Sequence, residues 1–420
     1  MFCPNALREG GRRMHVVLLT DFAVANGGAG RVAIESARAL ADAGARVTFV
    51  HAIEGADAQL THPAITRLCL GLTDVWNLGS AKAAANGIWN TRAAKLLEPI
   101  VQKLRGAEDT ILHVHQWTRA FSPAIFPILV RTQLPLFATV HDYFLVCPNG
   151  VFFRFDRAEP CSLTPLSVGC LTTNCDTRSY LHKGVRVLRV AAARHHLRDY
   201  ALDLVHVSDH GRDRLAPFAP ASWRHHRIDN PVSIAREPPA QIAKDAKFAF
   251  IGRLTREKGA VLAAAAAAQA KAPILFIGEG PAEADIRALC PEAEITGWLP
   301  PDQVSALLRT RVRAVLAPSL WPETGPLTVY EAAAIGLPAL ASDRCGASER
   351  VYADTGFVLE PSQEAFAAAM ERLGDIDLAR AMGHAAYARY WADPPSPQMH
   401  AQRLIALYRS ACAAATASLN

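Results

Sequence analysis

The feature that most constrains this chain is a rhythm that runs, stops and starts again. Short apolar or β-branched runs at His15–Thr20, Arg46–His51, Thr110–Val114, Leu136–Val140 and Leu204–Val207 read as buried strands. Helical patterns fall near 31–43, 92–105, 118–132 and 178–200. A second series follows, with strands at Phe248–Gly252, Ile274–Gly278, Glu294–Gly297, Ala314–Ala317 and Ala339–Ser342, each ahead of a helical segment. Between the two series, Asp229–Ala240 carries three prolines in a polar stretch and reads as the hinge. Such alternation builds parallel sheets covered by helices on both faces. The expected fold is therefore α/β, with two Rossmann-like parallel-sheet domains facing each other across a cleft and ligands at the strands' C-terminal ends. The Ala263–Ala268 run needs no meaning beyond alanine's helix propensity.

Composition narrows the class. Half of the 420 residues are hydrophobic and a fifth are charged, which excludes a largely disordered chain and suits two domains. No apolar run reaches the roughly 18–20 residues that span a bilayer. Arg12 and Arg13 precede Met14–Thr20, but that run is too short for a signal peptide's apolar region, so secretion is not expected. Nine cysteines, an odd number, point to reduced thiols and a cytoplasmic setting. Residues 1–232 hold 26 Lys and Arg against 19 Asp and Glu, while 233–420 hold 18 against 20. That excess of seven is too modest to imply nucleic acid; it fits solvated arginines, an anionic membrane surface or a phosphorylated substrate.

The most informative stretch is Trp321–Pro338, WPETGPLTVYEAAAIGLP. A loop follows the Ala314–Ala317 strand and a helix opens near Leu327. Glu323 lies in the loop and Glu331 eight residues on, inside the helix. Two carboxylates facing one cleft can accept hydrogen bonds from two hydroxyl-bearing groups. The backbone N–H groups of Gly325, Pro326's neighbours Leu327 and Thr328, and the helix start can donate to anionic oxygens.

This stretch resembles the donor-binding signature of retaining glycosyltransferases of family 4, the group 1 glycosyltransferases with the GT-B fold. The resemblance implies that Glu323 contacts the transferred sugar and Glu331 holds the nucleotide ribose, with Gly325, Pro326, Leu327 and Thr328 beside the donor. Ile251–Gly259 (IGRLTREKG) sets Arg253 and Lys258 around a helix start, two cations suited to a diphosphate, and is similar to the family's phosphate element. Arg256 reads as a surface residue. Gly27-Gly28-Ala29-Gly30 is not the dinucleotide fingerprint but matches the family's GG loop, with Gly28 as the contacting residue. His141, in Thr139-Val140-His141-Asp142-Tyr143, stands where the family places a histidine close to the transferred sugar. His113 and His115 are weaker candidates for the acceptor side. Gly278 and Gly280, with Trp298 and Leu299, correspond to the family's nucleobase pocket, although ordinary turn chemistry explains such glycines equally well. Thr324 departs from the usual residue at its position.

The resemblance implies a retaining, hexosyltransferase-like enzyme. It moves a sugar from a nucleotide diphosphate sugar, its co-substrate, to the hydroxyl of a carbohydrate or lipid-linked acceptor, by front-face attack and with no required cofactor. Polysaccharide, lipopolysaccharide or glycolipid assembly in the bacterial cytoplasm, or peripherally on the inner face of the cytoplasmic membrane, is the implied setting. Residues 14–230 would bind the acceptor, 231–395 the nucleotide sugar, and 396–420 would return to brace the first domain. The alternatives are a GT-B sugar-phosphate synthase or phosphorylase, or a non-catalytic nucleotide-sugar-binding or assembly protein with a relic donor site.

Two segments stand outside that signature. Cys147, Cys161, Cys170 and Cys175 fall in one irregular stretch, either as buried thiols, a labile disulfide, or the four ligands of a structural zinc. The helical pattern Arg178–Tyr200 interleaves Lys183, Arg186, Arg189, Arg194 and Arg198 with apolar residues. It is expected to present a basic face, to water or to an anionic membrane.

Overall fold

A computed structural model describes residues 13–25 and 27–417, so the stretch ending at Arg12 lies outside the described residues. The first domain is built on strands β1 (His15–Thr20), β2 (Arg46–His51), β3 (Ile65–Cys69), β4 (Thr110–Val114) and β5 (Leu136–Val140). A small antiparallel hairpin follows, β6 (Phe153–Arg154) and β7 (Glu159–Pro160), before β8 (Leu202–His206) and β9 (Arg224–Arg227). The seven-stranded sheet has the order β3-β2-β1-β4-β5-β8-β9 and every pair is parallel. The second domain carries β10 (Lys247–Ile251), β11 (Ile274–Ile277), β12 (Glu294–Ile295), β13 (Val312–Ala317), β14 (Ala339–Ser342) and β15 (Gly356–Leu359). These form a parallel sheet ordered β12-β11-β10-β13-β14-β15.

Successive residues of a strand point to opposite faces, and here both faces are dry. From β1, Val17 and Leu19 enter one core with Leu112, Leu136 and Phe121, while Val16 and Leu18 enter the other with Ile111 and Phe137. The second of these cores is closed by the helix Gly28–Asp42 and by the terminal helix Pro397–Ala417. Leu404, Ile405 and Tyr408 of that terminal helix lie in it. Tyr408 packs edge-on to Phe137 with ring centroids 4.9 Å apart, so the end of the chain is part of the first domain's core.

Several expectations are corrected. The pattern at 118–132 is not one helix. Pro123 and Pro127 divide it into a 3-10 turn, Pro123–Ile125, and a short helix, Phe126–Val130. Three edge strands went unread: β3 and β9 lack the apolar run that marks a central strand, β9 reading Arg-His-His-Arg, whereas β15 is a short apolar run, Gly-Phe-Val-Leu. The basic face at 178–200 does not exist as such. In the helix Tyr180–Leu197, Lys183 and Arg189 point inward, Arg186 pairs with Asp176 at 3.2 Å, and Leu181 and Leu188 face water. Lys183 donates to the carbonyls of Cys170 and Thr173, and the Arg189 guanidinium lies 4.5 Å from the Phe144 ring centroid. Lys183, Arg186 and Arg189 are thus spent on partners within the protein and are not part of an exposed basic face. No helix among the described residues is long and apolar enough to cross a membrane.

Candidate active site

Three helices begin just beyond the C-terminal ends of central strands: Gly28–Asp42 after β1, Ala260–Gln269 after β10 and Leu327–Ile335 after β13. None has a side-chain cap, so the orphan N–H groups of each first turn remain available to a ligand. Gly27 stands at the N-cap of the first with φ 142°, a conformation that favours glycine, and a Cβ on Gly28 would meet nothing within 4 Å. Gly28 thus borders open space.

The signature loop is pinned in place. Glu323 N–H donates to the Arg344 carbonyl at 3.1 Å and its own carbonyl accepts from Gly346 N–H at 2.8 Å. The Glu323 carboxylate is buried, 6% exposed, and both oxygens are engaged: Oε1 with Lys258 Nζ and Oε2 with the Ser319 hydroxyl. Arg253, five residues before Lys258, is exposed and free of ion pairs among the described residues. Arg256 pairs with Asp285 on the surface, 2.7 Å away. Gly325, Pro326, Leu327 and Thr328 are half-buried at the helix start, and Glu331 follows on its first turns.

Glu331 does not stand free. Its Oε1 accepts from Arg31 Nη1 at 2.7 Å, across the cleft, and Arg31 Nε donates to Glu35 at 2.9 Å. Burial lifts the Glu35 carboxyl above its ordinary value despite Arg31. Thr324 is a second bridge. Its hydroxyl donates to the His141 carbonyl at 3.0 Å, and its own carbonyl accepts from Ser208 Oγ at 2.5 Å. Glu349 caps the first-domain helix Asp209–Leu215, accepting from the N–H groups of Asp209 and His210 at 3.2 and 2.6 Å. These contacts bring His141, Lys258, Glu323 and Glu331 to one closed cleft. Arg31, Ser208, Ser319 and Glu349 were not singled out in the sequence. Arg31 alone had a signal there, since it directly follows the Gly27–Gly30 loop.

His141 sits just past β5, with Nε2 3.1 Å from Nδ1 of His115. Burial, together with the His400 imidazole, pulls its pKa down to about 3, so it is neutral at physiological pH. Asp142 accepts from Phe144 N–H at 3.1 Å; burial pushes its carboxyl up to about 6. His113 is fully buried between Tyr408 and Thr139, 2.5 and 2.8 Å away, which makes it a core residue and not part of an acceptor site.

The nucleobase candidates divide. A Cβ on Gly278 would lie 2.0 Å from the Gly252 carbonyl oxygen, and one on Gly280 would lie 2.4 Å from that of Leu254. Backbone packing between two neighbouring loops therefore requires both glycines, with or without a base. Leu299 packs against the second domain's core, and Trp298 is 68% exposed, an indole available for stacking. The zinc candidate is not assembled: among the described residues no three His, Cys, Asp or Glu side chains converge to hold an ion. Cys147, Cys161, Cys170 and Cys175 are buried free thiols. Cys147 Sγ donates to Asn149 Oδ1 at 3.1 Å, and burial pushes its thiol up to about 12.

Residues 233–408 match the family model of glycosyl transferases group 1. The matched residues take in the second domain, with the signature helix, Arg253, Lys258 and both glutamates among them. A search of curated proteins finds no match. Among solved structures the chain is similar to sucrose-phosphate synthase from Thermosynechococcus elongatus, at 18% identity and a TM-score of 0.70 over 96% of this chain and 100% of that one. It is also similar to Anabaena HepE in complex with UDP and glucose, at 15% identity and 0.62 over 95% and 100%. A third is WaaG, a glycosyltransferase involved in lipopolysaccharide biosynthesis, at 16% identity and 0.62 over 94% and 99%. At such identities the likeness establishes the fold: two Rossmann-like domains in the GT-B arrangement.

Proposed function

We propose that this protein is a retaining glycosyltransferase that moves a sugar from a nucleoside diphosphate sugar to an acceptor hydroxyl. The observation that carries the reading is the convergence of Lys258 and Glu323 with His141, tied across the cleft by Thr324. When the donor enters, its diphosphate draws Lys258 from Glu323 and meets exposed Arg253 and the open N–H groups at the helix starts. Glu323 is then free to accept hydrogen bonds from sugar hydroxyls. Glu331 keeps an oxygen for the ribose diol beside Arg31. In the transition state the two cations stabilise the charge growing on the departing diphosphate. The acceptor oxygen attacks from the same face and its proton passes to a phosphate oxygen of the leaving group, so no enzyme nucleophile forms an adduct and retention follows. Because Arg253 and Lys258 both reach the diphosphate, the reading requires no metal to balance it. HepE complexes with UDP and with UDP-glucose support a uridine diphosphate sugar as the first donor to try. WaaG, involved in lipopolysaccharide biosynthesis, supports a saccharide or glycolipid acceptor.

The test pairs binding with product analysis. Thermal shift with UDP, GDP, ADP and TDP should single out one nucleotide. A ligand at 100 times its dissociation constant adds about 2.7 kcal/mol. NMR of the product should show the donor's anomeric configuration. An inverted product would remove the retaining mechanism; no shift with any nucleotide would remove the donor site. Wild-type protein that binds nucleotide but transfers no sugar would favour a relic site, and Glu323→Gln that transfers sugar like the wild type would remove Glu323 from the sugar's contacts.

A further inference from the structure

His115 and His141 form a pair whose chemistry is more specific than packing. The two residues follow adjacent parallel strands, β4 and β5, and their rings lie 5.3 Å apart with Nδ1 of His115 3.1 Å from Nε2 of His141. Behind them the His113 ring packs, tilted by 31°, against His115 with centroids 4.6 Å apart. His115 is buried at 5% exposure, and its Nε2 has no hydrogen-bond partner among the described residues. Nδ1 of His141 makes no hydrogen bond among the described residues and borders the cleft.

Two neutral imidazoles joined nitrogen to nitrogen share one proton, so the tautomer of one ring dictates that of the other. If the proton between them belonged to His141, His115 would carry its own on Nε2, a buried N–H with nothing to receive it. If it belongs to His115, the orphan atom is a bare lone pair. An orphaned buried N–H is the rarer and costlier of the two. His115 therefore carries its proton on Nδ1 and donates it to Nε2 of His141, which forces the His141 proton onto Nδ1.

We propose that His115 is a positioning residue that holds His141 as the neutral Nδ1–H tautomer, a hydrogen-bond donor aimed into the cleft. An isolated imidazole favours the opposite tautomer, which would offer only a lone pair there. This proposal rests on the glycosyltransferase reading and deepens it. A neutral N–H donor suits a hydroxyl oxygen of the transferred sugar or an oxygen of the departing diphosphate, and it does not act by surrendering a proton.

Nitrogen-15 NMR of imidazole-labelled protein, without ligand, reads the tautomer directly. The wild type should show His141 protonated at Nδ1. His115→Phe should move that proton to Nε2 and lower kcat about tenfold, the loss of one neutral hydrogen bond, while KM for the donor stays within about twofold. His115→Asn keeps an N–H near the Nδ1 position and should restore both the tautomer and kcat. Protonation at Nε2 in the wild type, or an unchanged His141 tautomer in His115→Phe, would overturn the proposal. If His115→Phe does not fold, the wild-type and His115→Asn spectra decide. A wild type that shows the Nδ1–H tautomer but transfers no sugar would sink the functional reading and leave the pair standing.

Discussion

Lowering the pH from 7 to 5 should unfold this protein far more readily than acid usually unfolds a neutral core. Three buried histidines, His113, His115 and His400, and half-buried His141 occur in the described structure. Desolvation pulls His113 and His141 down to about 3 and His400 to about 4, with His115 also well below its ordinary value; nearby imidazoles add to the effect at His113, His115 and His141, and Arg403 adds to it at His400. Their geometry favours neutral rings: Nδ1 of His400 donates to the Asp229 carbonyl at 2.8 Å while Nε2 receives the Ser36 hydroxyl at 2.9 Å. In the unfolded chain each would titrate near 6.5. As pH falls through that value the unfolded state binds protons that the folded state refuses. Stability present above about 6.5 is then lost progressively toward 3–4. His113, His141 and His400 each contribute about 2 kcal/mol of loss between pH 7 and 5, and His115 adds to it in the same direction. Asp142 works in the opposite sense, since its pKa raised to about 6 lets the folded protein take up a proton first, which returns about 1 kcal/mol. The net loss from these groups is on the order of 5 kcal/mol, comparable to the whole stability of many domains. Urea unfolding followed by tryptophan fluorescence at pH 7, 6 and 5 measures it. A free energy of unfolding constant to about 1 kcal/mol across that range would refute the reasoning.

Other perturbations address the site and its supports. Glu323→Gln should cut transfer by about 100-fold or more with nucleotide binding retained, read by product formation beside thermal shift. Arg31→Gln should remove the bond to Glu331 and leave buried Glu35 without its cation, costing about 3 kcal/mol by urea unfolding. It should also widen the ligand-free protein in small-angle scattering. Tyr408→Phe should cost about 1 kcal/mol, because it removes the hydroxyl partner of His113 while the ring stays packed. Asn149→Ala should release the thiol segment. Its amide joins Cys147, Phe153 and Cys175, so labelling of Cys147 and Cys175 by a thiol reagent should speed up with little change in the far-ultraviolet spectrum.

The sequence alone determined the two-sheet plan. Central strands such as β1 and β13 are dry on both faces and are written as near-continuous apolar runs, with Arg313 of β13 spent on backbone carbonyls, and the signature Glu323-to-Glu331 segment is contiguous in the chain. The edge strands β3 and β9 and the proline-split turn at Pro123–Ile125 escaped notice because polar residues or one proline erase the periodic signal, while the edge strand at Glu294 was read. Tertiary structure decided everything that depends on partners distant in the chain. Lys183 and Arg189 read as a solvated basic face until the fold turned them onto carbonyls and a phenyl ring. Thr324 read as a departure, and proved to be the hydroxyl that ties the signature loop to His141, 183 residues away. Arg31 meets Glu331 across 300 residues, and His115 meets His141 because two parallel strands lie side by side. Hydrophobic periodicity is a local property, legible within one element. The direction of a charge or a tautomer is set by whichever group the folded chain brings to face it.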